Sequence, residues 1–166
     1  MIPNVKLILL LRNPVDRAYS HYHHEVSMGV ETLSFEEAID REDERLKGEW
    51  ERMLEDEGYY SFNHQHYSYL SRGIYVDQVK VWMELFSRKQ ILILKSEDFY
   101  ANPANAFGRT LQFLELPRWE PVEYGRYNSI SYPPMDATVR RRLLDYFEAH
   151  NQRLYEYLGT NFGWDG

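Results

Sequence analysis

The sequence predicts an α/β fold built on a parallel sheet, and three observations carry that prediction. Two short apolar runs, Lys6 to Leu11 and Gln90 to Lys95, stand far apart in the chain with helical patterns between them. Each is too short for a stable helix, so a fully buried strand is the better reading of both. Strands separated by helical segments pair in parallel through crossovers. The third observation is the junction that follows the first run, Arg12-Asn13-Pro14-Val15-Asp16-Arg17-Ala18-Tyr19-Ser20. A buried strand that ends in arginine and turns at once into a helix sets unpaired N–H groups, a partial positive charge and a guanidinium fork at the carboxyl edge of the sheet. That arrangement suits an anion.

The elements follow in order. Pro14 sits where proline is tolerated, in the first helical turn, and the helix runs to about Met28 before Gly29. Val15, Ala18, Tyr19, Tyr22 and Val26 recur at helical spacing, while Arg17, Ser20 and His24 share another face. Ser34-Phe35-Glu36-Glu37 reads as a capping box opening a second helix, continued through Trp50 to Leu54 despite Gly48. An aromatic passage from Tyr59 to Tyr67 is a candidate acceptor pocket or plain packing. Helical segments are expected over 65–71 and 76–86, then the second strand, a turn at Glu97-Asp98-Phe99, and a helix from Pro103 to Leu114. Residues 118–135 read as loop. Asp136 caps a long final helix that Gly159 closes.

At 166 residues the chain is expected to form a single domain spanning residues 1–166, with 43% hydrophobic and 27% charged residues as in soluble globular proteins. The net charge of −7 argues against general affinity for nucleic acid or an anionic membrane face, so any anion is bound locally. The acidic stretch from Glu31 to Glu57 reads as a solvated helical face. Zero cysteines exclude disulfides and thiolate metal sites, and a cytoplasmic location is expected. No stretch reaches the about 18 apolar residues of a membrane span. The cluster His21, His23 and His24 lacks a fourth ligand on a matched face, so no metal is expected.

Two strands alone make a poor parallel sheet with unpaired edges, and a partner copy pairing through an open edge, as a homodimer, is one expected remedy. The pattern Gly-x-x-x-x-Gly-Lys-Ser/Thr has no match, which predicts that in a nucleotide-type fold the first strand and phosphate loop lie upstream.

The string Leu11 to Tyr22 resembles the 3′-phosphate-binding segment of sulfotransferases that use 3′-phosphoadenylyl sulfate (PAPS), in particular the heparan sulfate sulfotransferases and bacterial sulfotransferase domains. Later stretches agree in order: Gly73-Ile74-Tyr75 with Gln78 to Phe86, then Ile91 to Asp98 with Pro103, then Arg142 to Asp165. The resemblance implies a P-loop-NTPase-like three-layer fold, truncated at its N-terminus, with helices on both faces of the sheet. It implies that Arg12 and Ser20 contact the 3′-phosphate of PAPS or adenosine 3′,5′-bisphosphate, by charge-assisted and neutral hydrogen bonds.

Where the family carries a Lys-Gly-rich loop before the last long helix, this chain has Asn128-Ser129-Ile130-Ser131-Tyr132. Asn128, Ser129 and Tyr132 are the expected donors there, with Arg126 a substitute cation. Glu97 is implied to be structural. The general base and the lysine of the 5′-phosphosulfate loop belong, by kinship, to a portion N-terminal to these residues, so no catalytic residue is assigned here. The implied activity is sulfuryl transfer to a hydroxyl or amine of a small-molecule or carbohydrate acceptor, with no turnover expected of these residues alone. A non-catalytic truncated module that pairs with itself or another chain is the alternative.

Overall fold

The computed structural model describes residues 4–125 and 131–165. Strands β1 (Leu7–Leu11) and β2 (Ile91–Lys95) pair in parallel, Leu7 opposite Ile91 and Leu11 opposite Lys95. Among the described residues they form a two-stranded sheet. Helices α1 (Pro14–Ser27), α2 (Phe35–Asp40), α3 (Glu42–Leu46), α4 (Glu49–Glu55), α5 (Phe62–Tyr67) and α6 (Tyr75–Leu85) lie between the strands. Helices α7 (Ser96–Ala101), α8 (Pro103–Leu114) and α9 (Ala137–Leu158) follow β2, and 3-10 turns occupy Ser71–Gly73 and Arg88–Gln90.

Local signals set most boundaries. Asn13 caps α1 with Pro14 in its first turn, Asp136 caps α9, and Gly159 ends α9 in the left-handed conformation at φ +65°. The Ser34–Glu37 capping box is formed, yet the long helix expected after it is not. It breaks between α2 and α3 at Arg41, and again at Lys47-Gly48, where Gly48 takes φ +76°. Tertiary demands explain the break, because it lets acidic side chains turn inward: Glu42 accepts the Leu70 and Ser71 N–H groups at 2.7 and 2.8 Å. The acidic stretch is therefore not simply a solvated face, since Glu31, Glu42 and Glu49 are 4%, 3% and 5% exposed. The helix expected over 65–71 is displaced to α5, and the expected turn at 97–99 is the helix α7.

Alternation along β1 assigns the two faces of the sheet. Leu9 and Leu11 join Tyr75, Val76, Val79, Leu154, Tyr155, Phe162 and Trp164 in one core, which places α6 and α9 on that face. Lys6, of the opposite parity, donates to the Phe113 carbonyl at 2.7 Å and so reaches α8 on the other. Ile8 and Leu10 on that second face remain 42% and 49% exposed. A second core unites Val15 and Ala18 of α1, Phe35, Ala38 and Ile39 of α2, Tyr69, and Val139, Leu143 and Phe147 of α9. Helix α9 thus spans both cores, and its N-terminal turn comes to rest beside α1.

Candidate functional site

The turn between β1 and α1 is held from three directions. Asn13 Oδ1 accepts the Val15 N–H at 3.0 Å, which satisfies one of the orphan donors of α1. The Asn13 N–H donates to Glu97 Oε1 at 2.7 Å, and Glu97 Oε2 accepts Trp164 Nε1–H at 3.4 Å. Tyr75 Oη donates to the Arg12 carbonyl at 2.9 Å, and the Trp164 N–H donates to Tyr155 Oη at 3.1 Å. Glu97 therefore serves as a clamp joining the start of α7, the turn and the C-terminal aromatic pair Phe162–Trp164, whose rings stack at 4.7 Å. Gly73-Ile74-Tyr75 and Phe162-Gly163-Trp164 are thus parts of one buttress behind Arg12.

In front of the turn lies a cleft of about 290 Å³. Arg12, Asp16 and Tyr19 form one wall, and Tyr132, Pro133 and Arg140 the other. The Arg12 side chain is neither hydrogen-bonded nor ion-paired to any described residue, and its backbone is fixed by Tyr75. Aromatic contacts hold the walls together. Tyr19 Oη donates to the Pro133 carbonyl at 3.1 Å, its ring meets Tyr132 edge-on at 5.4 Å, and Tyr132 stacks on His23 at 4.3 Å. Burial, then the neighbouring Tyr132, raises the Tyr19 phenol, which stays a neutral donor. Two of the chain's 14 tyrosines thus join the two walls.

Of the expected phosphate contacts, Arg12 and Tyr132 are brought into this one cleft. Ser20 is half-buried on α1, one turn beyond Asp16, and is not among the residues lining the cleft. Asn128, Ser129 and Arg126 lie outside the described residues. Arg17 turns away from the cleft: its Nη2 donates to the Ser68 and Tyr69 carbonyls at 3.1 and 2.6 Å. The three histidines of α1 diverge. His21 contacts Glu25 Oε1 at 3.2 Å and His23 stacks on Tyr132, whereas His24 is exposed. Burial, with the charges of Arg17 and Arg72, lowers His21 to about 3, so this ring beside Glu25 is held in its neutral form. The aromatic passage knits α4 to α5, Tyr59 and Ser61 both donating to Glu49 Oε2.

Two cleft residues, Asp16 and Arg140, were given no site role from the sequence. Arg140 Nη1 donates to Asp16 Oδ1 at 2.7 Å across 124 residues of chain. A signal for Asp16 existed, since it falls in the first turn of α1 beside Arg12; none marked Arg140.

A strand-to-helix turn at the carboxyl edge of a parallel sheet, with an arginine that is unpaired among the described residues facing a cleft, defines an α/β protein equipped to bind an anionic group. The pattern of the sulfotransferase domain family matches residues 1–138, and the chain belongs to that family. It is 23% identical to the membrane-associated sulfotransferase kil1 of Dictyostelium discoideum, over 98% of this chain and 48% of that protein. It is 25% identical to human heparan sulfate glucosamine 3-O-sulfotransferase 3A1, over 100% of this chain and 43% of that one. A crystal structure of a sulfotransferase from Alicyclobacillus acidocaldarius superposes with a TM-score of 0.74 at 28% identity, covering 99% of this chain and 59% of that chain. The fold is that of an α/β sulfotransferase, and the chain spans about half the length of the curated relatives it matches.

Proposed function

We propose that this chain supplies the 3′-phosphate-binding half of a PAPS site in a sulfotransferase that acts on a hydroxyl or amine of a carbohydrate acceptor. The observation that carries this reading is Arg12, a guanidinium with no partner among the described residues, held at the carboxyl edge of the sheet and lining a cleft. In a chain of net charge −7 such a cation must act locally, by charge-assisted bonds to phosphate oxygens. Tyr132 closes the same cleft, and Ser20, Asn128 and Ser129 are proposed as further donors. When bound, PAPS supplies the activated sulfuryl group, and the residues of this chain hold the nucleotide. The acceptor class rests on the heparan sulfate relatives and on nothing in the cleft itself.

Calorimetric titration with adenosine 3′,5′-bisphosphate and with adenosine 5′-monophosphate tests the reading. The bisphosphate is expected to bind more tightly. Arg12→Ala should weaken the bisphosphate by roughly 10- to 100-fold, the size of a charged hydrogen bond, and leave the monophosphate unchanged. Equal affinity of the wild-type chain for the two nucleotides overturns the proposal.

A second reading is favoured by the half-exposed Ile8 and Leu10 beside strand edges that are unpaired among the described residues. In that reading the chain is a non-catalytic module that self-associates through its sheet. Light scattering decides: a concentration-dependent dimer mass that Leu10→Lys abolishes supports it, and a monomer across the range removes it.

A further inference from the structure

The cleft in front of Arg12 has a second cation. We propose that Arg140 is a phosphate-binding residue of this cleft, presented from α9 by Asp16, so that a phosphate monoester dianion is held between two guanidinium groups from opposite walls. The inference rests on the reading of the cleft as a 3′-phosphate site, and it adds a residue from a different element to that site.

Three observations carry it. The first is charge. Among the described residues, the ionisable groups lining the cleft, besides two tyrosines, are Arg12, Asp16 and Arg140. Arg12 and Asp16 alone cancel, and a neutral wall is a poor partner for a dianion. Arg140 gives the described lining a net positive charge. Arg17, the other cation at the start of α1, is committed to the Ser68 and Tyr69 carbonyls, and no lysine stands between positions 126 and 132.

The second observation is placement. Arg140 lies in the first turn of α9, its N–H bonded to the Asp136 carbonyl at 2.9 Å. Helical side chains lean toward the N-terminus of their helix, which directs this one over Pro133 and Pro134 into the cleft. The third is the contact with Asp16. It runs through one nitrogen, Nη1, at 2.7 Å, with the two side chains 37% and 38% exposed. A guanidinium has five N–H donors, so donors remain for a phosphate oxygen while Asp16 still fixes the fork. Pairs this exposed are weak, so a dianion can also compete for the whole group.

Calorimetry with adenosine 3′,5′-bisphosphate, and with adenosine 5′-monophosphate as the ligand lacking the 3′-phosphate, separates the outcomes. Arg140→Ala is expected to weaken the bisphosphate by about tenfold or more and to leave the monophosphate unchanged. Arg140→Lys should recover part of the loss, since it restores charge without the fork. Asp16→Asn removes the ion pair but keeps the cation, and should weaken the bisphosphate by clearly less than Arg140→Ala does, since the guanidinium remains but loses the partner that orients it. Thermal melts establish that each variant is folded, and Arg140→Lys carries the test should Arg140→Ala not be. Full affinity in Arg140→Ala alongside a loss in Arg12→Ala overturns the role of Arg140 and spares the reading of the site. A loss in Asp16→Asn equal to that in Arg140→Ala also overturns it, because the ion pair would then matter for shape rather than for ligand contact. A wild-type chain that does not distinguish the two nucleotides overturns both.

Discussion

Replacing Glu31 with glutamine is expected to lower the thermal midpoint by roughly 10 °C and to flatten the acid limb of the stability curve. Glu31 stands between α1 and α2, where the chain has no regular structure to satisfy its backbone. Its carboxylate accepts the Thr32 and Leu33 N–H groups at 2.9 and 3.0 Å, and the Tyr69 hydroxyl at 2.9 Å. Arg45 of α3 meets it with two nitrogens at 2.5 and 3.2 Å. Glutamine keeps the volume but leaves Arg45, whose side chain is 19% exposed, without its counter-charge. Removing one member of a pair buried to this degree costs about 3 kcal/mol.

The pH dependence has a definite sign. Burial pushes the Glu31 carboxyl up, but the bonds from Arg45, Leu33 and Tyr69 outweigh it and hold it at about 2 against an ordinary 4.5. A carboxyl depressed by folding stabilises the native state fully above its unfolded value, and that contribution disappears as pH falls through its folded value. The difference between wild type and Glu31→Gln should therefore be constant above about pH 5.5 and shrink toward zero near pH 2. His21, lowered to about 3 from 6.5 by burial and then by Arg17 and Arg72, erodes stability between those values as the unfolded chain gains a proton. That slope is common to both proteins and cancels in the difference. Urea titrations from pH 7 to 2 give the measurement, and a difference independent of pH discards the assignment.

What could be read from the sequence was local. Both strands, the start of α1 at Asn13-Pro14 and both ends of α9 are announced by residues within a few positions of the boundary. The break after α2 was hidden because its cause is distant: Glu42 serves backbone N–H groups 28 and 29 residues further on. A periodicity argument sees the helix-compatible spacing of Phe35, Ala38, Ile39 and Leu46 and cannot see that demand. The site divides the same way. Arg12 is legible because strand, arginine and helix cap are contiguous. Arg140 comes to Asp16 only after α9 has packed on α1, so no spacing rule finds it. Glu97 lay between these cases, visible as an acid at a strand end, but with a role fixed by Asn13 and Trp164 from opposite ends of the chain.

Gly73→Ala should destabilise the fold by about 2 kcal/mol, a drop of roughly 6 °C, and weaken nucleotide binding although residue 73 lines no part of the cleft. Gly73 does not have a left-handed φ, so alanine meets no backbone strain there. Space is the constraint. A Cβ at this position would fall 2.8 Å from Cε1 and Cζ of Phe147 and 3.0 Å from Cβ of Pro14. The Phe147 ring is fully buried against α1 and α2, with no free volume to retreat into. Pro14 is the first residue of α1, so relief on that side displaces the turn that carries Arg12. Phe147→Leu alone opens a gap and has its own cost, but in its presence Gly73→Ala should add little, since the added methyl then occupies space the ring has left. Denaturation of the two single variants and the double variant tests the argument. Additive losses would place the strain elsewhere, and unchanged bisphosphate affinity in a folded Gly73→Ala protein would show that the turn does not depend on this contact.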